Sequence, residues 1–315
     1  MRKAAQIALK QCMGLTKKDS VLIITDKLRK RIAEAFFYEA MKIAKNVLLI
    51  TIPVGKIDGE EPPKLVAEVM KKGYDIILLV TTMSLSHTNA TKAARKTNAR
   101  IASMPGITES MMKRCIPVDY KKIESLNNKL GKILEKVKKV RIITAKGTDF
   151  TVVVSKKRVL VDDTGIYSKP KGFGNLPAGE VCFAPLEGKS NGVFVVDASI
   201  FEEKLKKPIT FKVKNGYVYD ISDGAMAKKL LKMIKPLGKS AFNIAELGIG
   251  TNPKARITGN VLEDEKVLGT CHVAIGNNSA LGGKIYAKCH IDGVINRPTI
   301  YFDKNCVMRS GRFLI

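Results

Sequence analysis

The chain has 315 residues, of which 45% are hydrophobic and 27% charged, and 55 Lys and Arg against 29 Asp and Glu give it a formal net charge of +26. This length favours two domains of about 150 residues each, and the hydrophobic fraction excludes a disordered chain. No apolar run approaches the roughly 20 residues that cross a bilayer, so the sequence predicts no membrane segment.

The positive charge could indicate a polyanion partner, but the basic residues are spread through most predicted helices and loops, without an aromatic nucleic-acid motif. We interpret them as a lysine-rich surface, such as thermophilic proteins carry, and predict no specific nucleic-acid partner. The start, MRKAAQIALKQCMGL, is typical of an amphipathic helix rather than a secretory signal, and the six cysteines have no CxxC or disulfide spacing. Together these features predict the cytoplasm.

The first third of the chain alternates between helical patterns and short apolar runs at residues 21–25, 47–52 and 76–80. Such runs, separated by helices, are typical of parallel strands that are buried on both faces. The sequence therefore predicts an α/β fold in which residues 1–138 form an N-terminal domain with a doubly wound parallel sheet.

The segment after the third run, TTMSLSHTNATKAARKTNA, places Ser84, Ser86, His87 and Thr88 at the carboxyl end of a predicted parallel strand. Ligands bind at this edge of such sheets. Ser86 or Thr88 could equally cap the helix that follows. Neither GxGxxG nor GxxxxGKS is present here, so a nucleotide-binding function lacks its phosphate loop.

A helix with one apolar stripe is predicted over residues 121–140, joining or buttressing the two domains. Beyond it the runs VRIIT, TDFTVVV and RVLV lie close together, and Asn215 and Gly216 predict a hairpin turn. This pattern predicts that residues 139–315 form a C-terminal α+β domain with a largely antiparallel sheet.

The stretch from residue 245 to residue 295 contains His272 and His290, two of the three histidines of the chain. In a strand KCHIDGVI, His290 and Asp292 would point to the same face. Glu246 lies in a glycine-rich setting, and Glu180 in NLPAGEV could be a ligand or could line a loop. Imidazole and carboxylate groups that converge in this way suit Zn, Fe, Mn or Co, so we predict a metal site.

The motifs GNLPAGEV, AELGIGTNP, LEDEKVLGTCHVAIG and HIDGVI, in this order, resemble the aminopeptidase T (M29) family of metalloaminopeptidases. SHTNA and RIASMPGIT extend the resemblance into the first domain. The resemblance implies a homodimer and a pair of divalent ions (Zn, Co or Mn) in the second domain, overhung by the first. It implies Glu246 as the group that takes a proton from the metal-bound water. The ligands that it implies are Glu180, Glu246, His272, His290 and Asp292.

The predicted activity is therefore hydrolysis of N-terminal residues from peptides by a water that two metal ions activate. The alternative is a ring-cleaving dioxygenase acting on a small molecule, because His272, His290 and Asp292 alone form a 2-His-1-carboxylate set for one Fe(II). Dihydroxypyridine dioxygenases resemble the same family. Glu180 and Glu246 favour hydrolysis, since a site for one ion does not need them.

One expected residue is missing from the resemblance, a tyrosine shortly after the GTxHxAxG segment. Asn277, Asn278 and Ser279 follow that segment here, and the next tyrosine is Tyr286. We expect slow peptide hydrolysis or a narrow substrate range as a consequence.

Two further groups have structural interpretations. The acidic run Glu263, Asp264 and Glu265 is predicted to lie in a solvated turn, with support of His272 as the alternative. Cys271 and Cys289 each precede a histidine, so on strands they would face away from the site and pack in the core.

Overall fold

The computed structural model describes residues 1–161 and 163–315. Its first 134 residues alternate between helices and strands. In chain order these elements are α1 (Arg2–Ile7), continued by a π-helical turn (Ala8–Cys12), β1 (Ser20–Asp26), α2 (Lys30–Met41), β2 (Asn46–Ile52), α3 (Lys64–Met70), β3 (Ile76–Val80), α4 (Asn89–Ala94), β4 (Arg100–Ser103), α5 (Glu109–Cys115) and α6 (Tyr120–Leu134).

The rest of the chain consists mainly of strands. They are β5 (Lys139–Ile143), β6 (Asp149–Val153), β7 (Val159–Leu160), β8 (Phe173–Asn175), β9 (Glu180–Phe183), β10 (Asn191–Val196), β11 (Ser199–Ile200), β12 (Glu203–Lys204), β13 (Ile209–Lys214), β14 (Tyr217–Ser222), β15 (Ile244–Gly250), β16 (Thr270–Gly276), β17 (His290–Asn296), β18 (Thr299–Phe302), β19 (Asn305–Arg309) and β20 (Arg312–Phe313). The helices among them are α7 (Gly224–Ile234) and α8 (Val261–Asp264).

A parallel sheet has the strand order β2-β1-β3-β4-β8. At its centre, β1 and β3 are runs of Val, Leu and Ile with almost entirely buried side chains, as expected for strands covered on both faces. Along α2 the residues Ile32, Ala33, Phe36 and Ala40 are buried, which is the stripe of an amphipathic helix. The predicted α/β fold with a parallel sheet is confirmed.

Contacts divide the chain into two compact units, Met1–Glu124 with Asp162–Ala178, and Ser125–Val161 with Gly179–Ile315. The strand β8 belongs to the first unit, where Phe173 pairs with Ile101 of β4. A later segment thus returns to extend the parallel sheet. The domain boundary between residues 138 and 139 stays a prediction.

The second unit contains two antiparallel sheets, with the strand orders β14-β13-β10-β6-β5-β18-β19-β20 and β12-β11-β17-β16-β15-β9-β7. One hydrophobic cluster includes residues of both sheets. Within it the rings of Phe194 and Phe211 stack with their centroids 4.5 Å apart. From the second sheet, alternate residues of β15 and β16 contribute to this core, among them Leu247 and Val273. The prediction of a largely antiparallel α+β region is confirmed.

Among the helices of residues 1–161 and 163–315, none combines the length and the apolar character that a bilayer crossing requires.

Candidate metal centre

The registers of neighbouring strands place all five predicted ligands on one face of the second sheet. His272 lies opposite Gly248, and Asp292 and His290 lie opposite small residues of β16. On the other side of β15, Glu180 lies opposite Gly250. Because side chains alternate between the faces of a strand, the core residues of these strands point one way and the ligands the other.

Glycine at position 248 allows His272 to lie close to the neighbouring strand. A Cβ atom built on Gly248 would lie 2.1 Å from the Nε2 and Cε1 atoms of that imidazole. The ring therefore occupies the space that any larger residue at this position would need.

Glu246 lies at the centre of the cluster, with one carboxylate oxygen toward each histidine. Its Oε1 is 3.5 Å from Nε2 of His272, and its Oε2 is 3.1 Å from Nε2 of His290. Glu180 Oε2 is 3.5 Å from the same His272 nitrogen, and Asp292 Oδ1 is 3.6 Å from Nε2 of His290. The cluster thus contains two sets of possible ligands, which share Glu246. Within each set the ligand atoms lie within 4.8 Å of one another, and the sets are Glu180–Glu246–His272 and Glu246–His290–Asp292.

The side chain of His290 is 35% exposed, whereas those of Glu246, His272 and Asp292 are almost fully buried, so the cluster opens to solvent at His290. The Nδ1 atom of His290 is 2.7 Å from the carbonyl oxygen of Asn277. Since only a donor can bond to a carbonyl, Nδ1 carries a proton, and Nε2 faces the carboxylates as a possible ligand atom.

Among the buried polar atoms of the cluster, Asp292 Oδ1 and His272 Nδ1 make no hydrogen bond with the residues that the structure describes. Buried polar atoms are nearly always satisfied, and an ion that Asp292 Oδ1 binds would satisfy this one. The donor set of imidazoles and carboxylates also fits a divalent transition metal.

The electrostatics of the cluster favour positive charge. Although burial opposes it, the hydrogen bond with Glu246 and the charge of Glu180 raise the pKa of His272 to about 9. Burial likewise opposes protonation of His290, but the charge of Asp292 raises the pKa of that imidazole well above its ordinary value. The three carboxylates therefore favour protons on the two imidazoles. A divalent cation bound in the cluster would replace these protons.

Lys266 also lies at this site, although the sequence analysis did not select it. Its Nζ is 2.5 Å from Oε1 of Glu180 and 3.3 Å from Oε2 of Glu265. Burial, the largest cause, raises the pKa of Glu265 well above its ordinary value. The backbone of Glu180 is also held in place, because Asn127 Nδ2 donates a hydrogen bond to its carbonyl oxygen at 2.8 Å.

The acidic run around Glu263 is buried, so the prediction of a solvated turn is wrong. Glu263 accepts a hydrogen bond from the backbone N–H of Arg256, and Asp264 accepts from those of Thr258 and Gly259. These carboxylates hold the loop before α8 in place. Their charges have backbone partners inside the fold, which the sequence pattern did not reveal.

Cys271 is fully buried in the core and Cys289 packs against it, as predicted. Cys182, which the sequence analysis passed over, lies opposite Gly248 and therefore on the ligand face. Burial, followed by the negative charge of Glu246, raises the pKa of its thiol well above the ordinary value. Its spacing of two residues from Glu180 was the signal for this placement.

The segment between β16 and β17 is anchored by Glu187. This carboxylate accepts hydrogen bonds from Asn278 Nδ2 at 3.1 Å and from the backbone N–H of Lys284 at 2.7 Å, and Arg158 lies 2.9 Å from its other oxygen. Asn278 is buried in this anchor, whereas Tyr286 is 75% exposed.

In the first unit, Thr88 caps α4 with its Oγ1, which accepts from the backbone N–H of Thr91. Ser86 donates a hydrogen bond to Ser103. The capping alternative is thus confirmed for Thr88. His87 follows β3 in this unit, and no role follows from its placement.

A family model and a curated protein match the chain. The family model described as NicX: 2,5-dihydroxypyridine 5,6-dioxygenase matches residues 1–315. The curated 2,5-dihydroxypyridine 5,6-dioxygenase of Pseudomonas putida KT2440 is 24% identical over 248 residues, which cover 74% of this chain and 70% of that protein.

Solved structures share the fold. The 2,5-dihydroxypyridine dioxygenase from Pseudomonas putida KT2440 superposes with a TM-score of 0.85 at 19% identity, covering 99% of this chain and 96% of that one. Wild-type AmpT from Thermus thermophilus superposes with a TM-score of 0.72 at 15% identity, covering 100% and 98% of the two chains.

The prediction of a hydrolase, a peptide-cleaving aminopeptidase of the M29 family, is wrong. The dioxygenase family model spans the whole chain, and only the fold is shared with AmpT. The prediction of hydrolysis rested on treating Glu180 and Glu246 as a sign of two metal ions. In the structure one oxygen of Glu180 pairs with Lys266.

Proposed function

Because the chain belongs to the NicX family of 2,5-dihydroxypyridine 5,6-dioxygenases, whose model matches residues 1–315, we propose that it is an Fe(II)-dependent, ring-cleaving dioxygenase. The proposed substrate is 2,5-dihydroxypyridine or a closely related dihydroxylated nitrogen heterocycle. The observation that carries the proposal is the buried cluster of imidazoles and carboxylates around Glu246.

The ion would be held by Glu246, His290 and Asp292. His272, whose Nε2 faces Oε1 of Glu246, would add the second imidazole. Two histidines and a carboxylate are the ligand set of many non-heme iron oxygenases. An Fe(II) ion held there supplies the one-electron chemistry through which O2 reacts with an aromatic ring. Ring cleavage by a dioxygenase breaks one ring bond and places both oxygen atoms in the product, so it consumes no external reductant.

The residues of this chain orient and enclose the reaction. The carbonyl of Asn277 holds the proton on Nδ1 of His290, which keeps Nε2 directed into the cluster. The exposed edge of His290 is the side from which a substrate would approach. The carboxylates of Glu246 and Asp292 are little exposed to water, which strengthens the electrostatic interactions of the cluster.

Oxygen uptake tests the proposal. Protein loaded with Fe(II) without air should consume one molecule of O2 for each molecule of 2,5-dihydroxypyridine, with loss of the ring absorbance. Protein loaded with Zn(II) should consume none, since Zn(II) has no redox chemistry. A folded, iron-loaded protein that consumes no O2 with any dihydroxypyridine isomer would contradict the proposal.

We further propose that the protein acts in the cytoplasm as a homodimer, with no specific nucleic-acid partner. The six cysteines all lie in the described part of the chain and form no disulfide there, which fits a reducing compartment. The dimer rests on the resemblance to aminopeptidase T. Light scattering on the purified protein distinguishes a dimer from a monomer.

A further inference from the structure

Lys266 is a buried lysine whose position the fold determines. Its side chain is only 1% exposed, which is rare for lysine unless the charge is paired. It directly follows Glu265 at the end of α8. Its backbone N–H donates to the carbonyl of Glu263, and its carbonyl accepts from the N–H of Asn252. The main chain is thus held on both sides, and the ammonium group lies 2.5 Å from Oε1 of Glu180 and 3.3 Å from Oε2 of Glu265.

The two ligand sets around Glu246 have the arrangement of a site for two metal ions. In such sites the ions lie about 3.5–4 Å apart. The second ion would have to use Glu180 together with His272 and Glu246. The ammonium group of Lys266 already lies 2.5 Å from Glu180 Oε1. A dication bound to the same carboxylate would face this positive charge at close range in a buried site, where repulsion is strong.

The buried charges also balance with one ion. Lys266 neutralises Glu180, while a single dication neutralises the other two carboxylates, Glu246 and Asp292. A second dication would add two positive charges beside the ammonium group of Lys266.

We propose that Lys266 is a built-in cation that takes the place of a second metal ion, and that the site therefore binds one divalent ion. This inference rests on the proposed function only in that the site binds a metal. Lys266 acts through Glu180 and is a positioning residue: it holds one oxygen of Glu180 and leaves the other directed at His272.

The test is the number of ions bound per chain, with Mn(II) and Zn(II) as probes that stay divalent in air. Calorimetric titration and elemental analysis after dialysis should give one ion for the wild-type protein. Lys266→Met, which keeps the length and removes the charge, should bind two. Its Mn(II) form should also show the exchange-coupled magnetic resonance spectrum of two neighbouring Mn(II) ions. Lys266→Arg keeps the charge and should bind one, and Lys228→Met, at an exposed lysine of α7, is the matched control.

Two ions bound to the wild-type protein, or one ion bound to folded Lys266→Met, would overturn the inference. If Lys266→Met does not fold, the double variant Glu180→Gln/Lys266→Gln removes a balanced pair and should still bind one ion. Loss of that ion would show that Glu180 holds it, against the inference. Oxygen uptake is measured separately: ring cleavage by a protein with two ions contradicts only this inference, and one ion without ring cleavage contradicts only the proposed function.

Discussion

Glu246 lies between the two histidines of the candidate metal centre, and each of its oxygens faces a different one. Glu246→Gln keeps the shape of the side chain and removes its charge. We expect the affinity for Mn(II) to fall at least about 10-fold, since even an outer-sphere partner of a ligand contributes that much. Calorimetry measures this. Glu203→Gln, at an exposed glutamate that pairs with Lys229, is the control and should leave the affinity unchanged.

An affinity of Glu246→Gln equal to that of the wild type would remove Glu246 from the ligand set. The dioxygenase alternative in the sequence analysis required only His272, His290 and Asp292. In the structure Glu246 lies within the same 4.8 Å set as His290 and Asp292, so we now expect a site for one ion to need it.

Gly248 provides a second test at the scale of one residue. In Gly248→Ala the added carbon would lie 2.1 Å from the imidazole of His272, so the ring must move. We expect weaker metal binding, and a loss of about 1–3 kcal/mol in the free energy of unfolding, as for overpacked cores. Urea titrations and calorimetry measure the two effects.

Gly55→Ala is the matched control for Gly248→Ala. The carbon added at position 55 would lie 3.3 Å from its nearest neighbour, the Cβ of Met83, rather than 2.1 Å. The unfolding free energy of this control should change little and its metal affinity not at all. Metal affinity of Gly248→Ala equal to that of the wild type would show that the site does not depend on the position of His272.

Strand alternation predicted the positions of single residues better than the usual solvation of charged runs did. Alternation along strands was enough to place His290 and Asp292 on one face, and the structure brings all five predicted ligands to that face. Lys266 was missed because a charged run such as LEDEK is usually solvated. Its burial depends on partners that are distant in the sequence, above all Glu180, and no local pattern reveals these.

At the scale of elements, the segment between β16 and β17 depends on Glu187. Burial alone would raise the pKa of this carboxylate, but hydrogen bonds from the backbone of Lys284 and from Arg158 lower it from 4.5 to about 2. A lowered pKa in the folded state stabilises the protein above the unfolded value. This contribution is lost as the pH falls from 4.5 toward 2.

We therefore expect the wild-type protein to lose more unfolding free energy than Glu187→Gln between pH 4.5 and 2. Urea titrations at a series of pH values measure the difference, with Glu203→Gln as the control that follows the wild-type curve. Parallel curves for wild type and Glu187→Gln would show that Glu187 does not anchor the segment.

The elements themselves were largely predictable, but their order in the sheets was not. The apolar runs became β1, β2 and β3, and Asn215 and Gly216 form the tight hairpin turn with positive φ at both residues. The return of β8 to the parallel sheet was not foreseen. A strand of three residues has too little pattern of its own, so its tertiary contacts decide where it pairs.

At the scale of the whole molecule, the fold did not determine the activity. The chain superposes on AmpT as well as on a dihydroxypyridine dioxygenase, with TM-scores of 0.72 and 0.85. A shared fold does not fix an activity, which has to be argued from the site. The structure brings the residues that the sequence motifs predicted as ligands together on the second sheet. In our proposal the number of ions depends on the buried charge of Lys266, which the motifs did not reveal.

The central claim is that this cluster opens an aromatic ring with O2. The most direct test is a reaction of iron-loaded protein with 2,5-dihydroxypyridine under isotopically labelled O2, followed by mass spectrometry of the product. We predict that the ring-opened product contains two labelled oxygen atoms for each ring cleaved. A product that takes its new oxygen from water instead, or a ring that stays intact, would contradict the account.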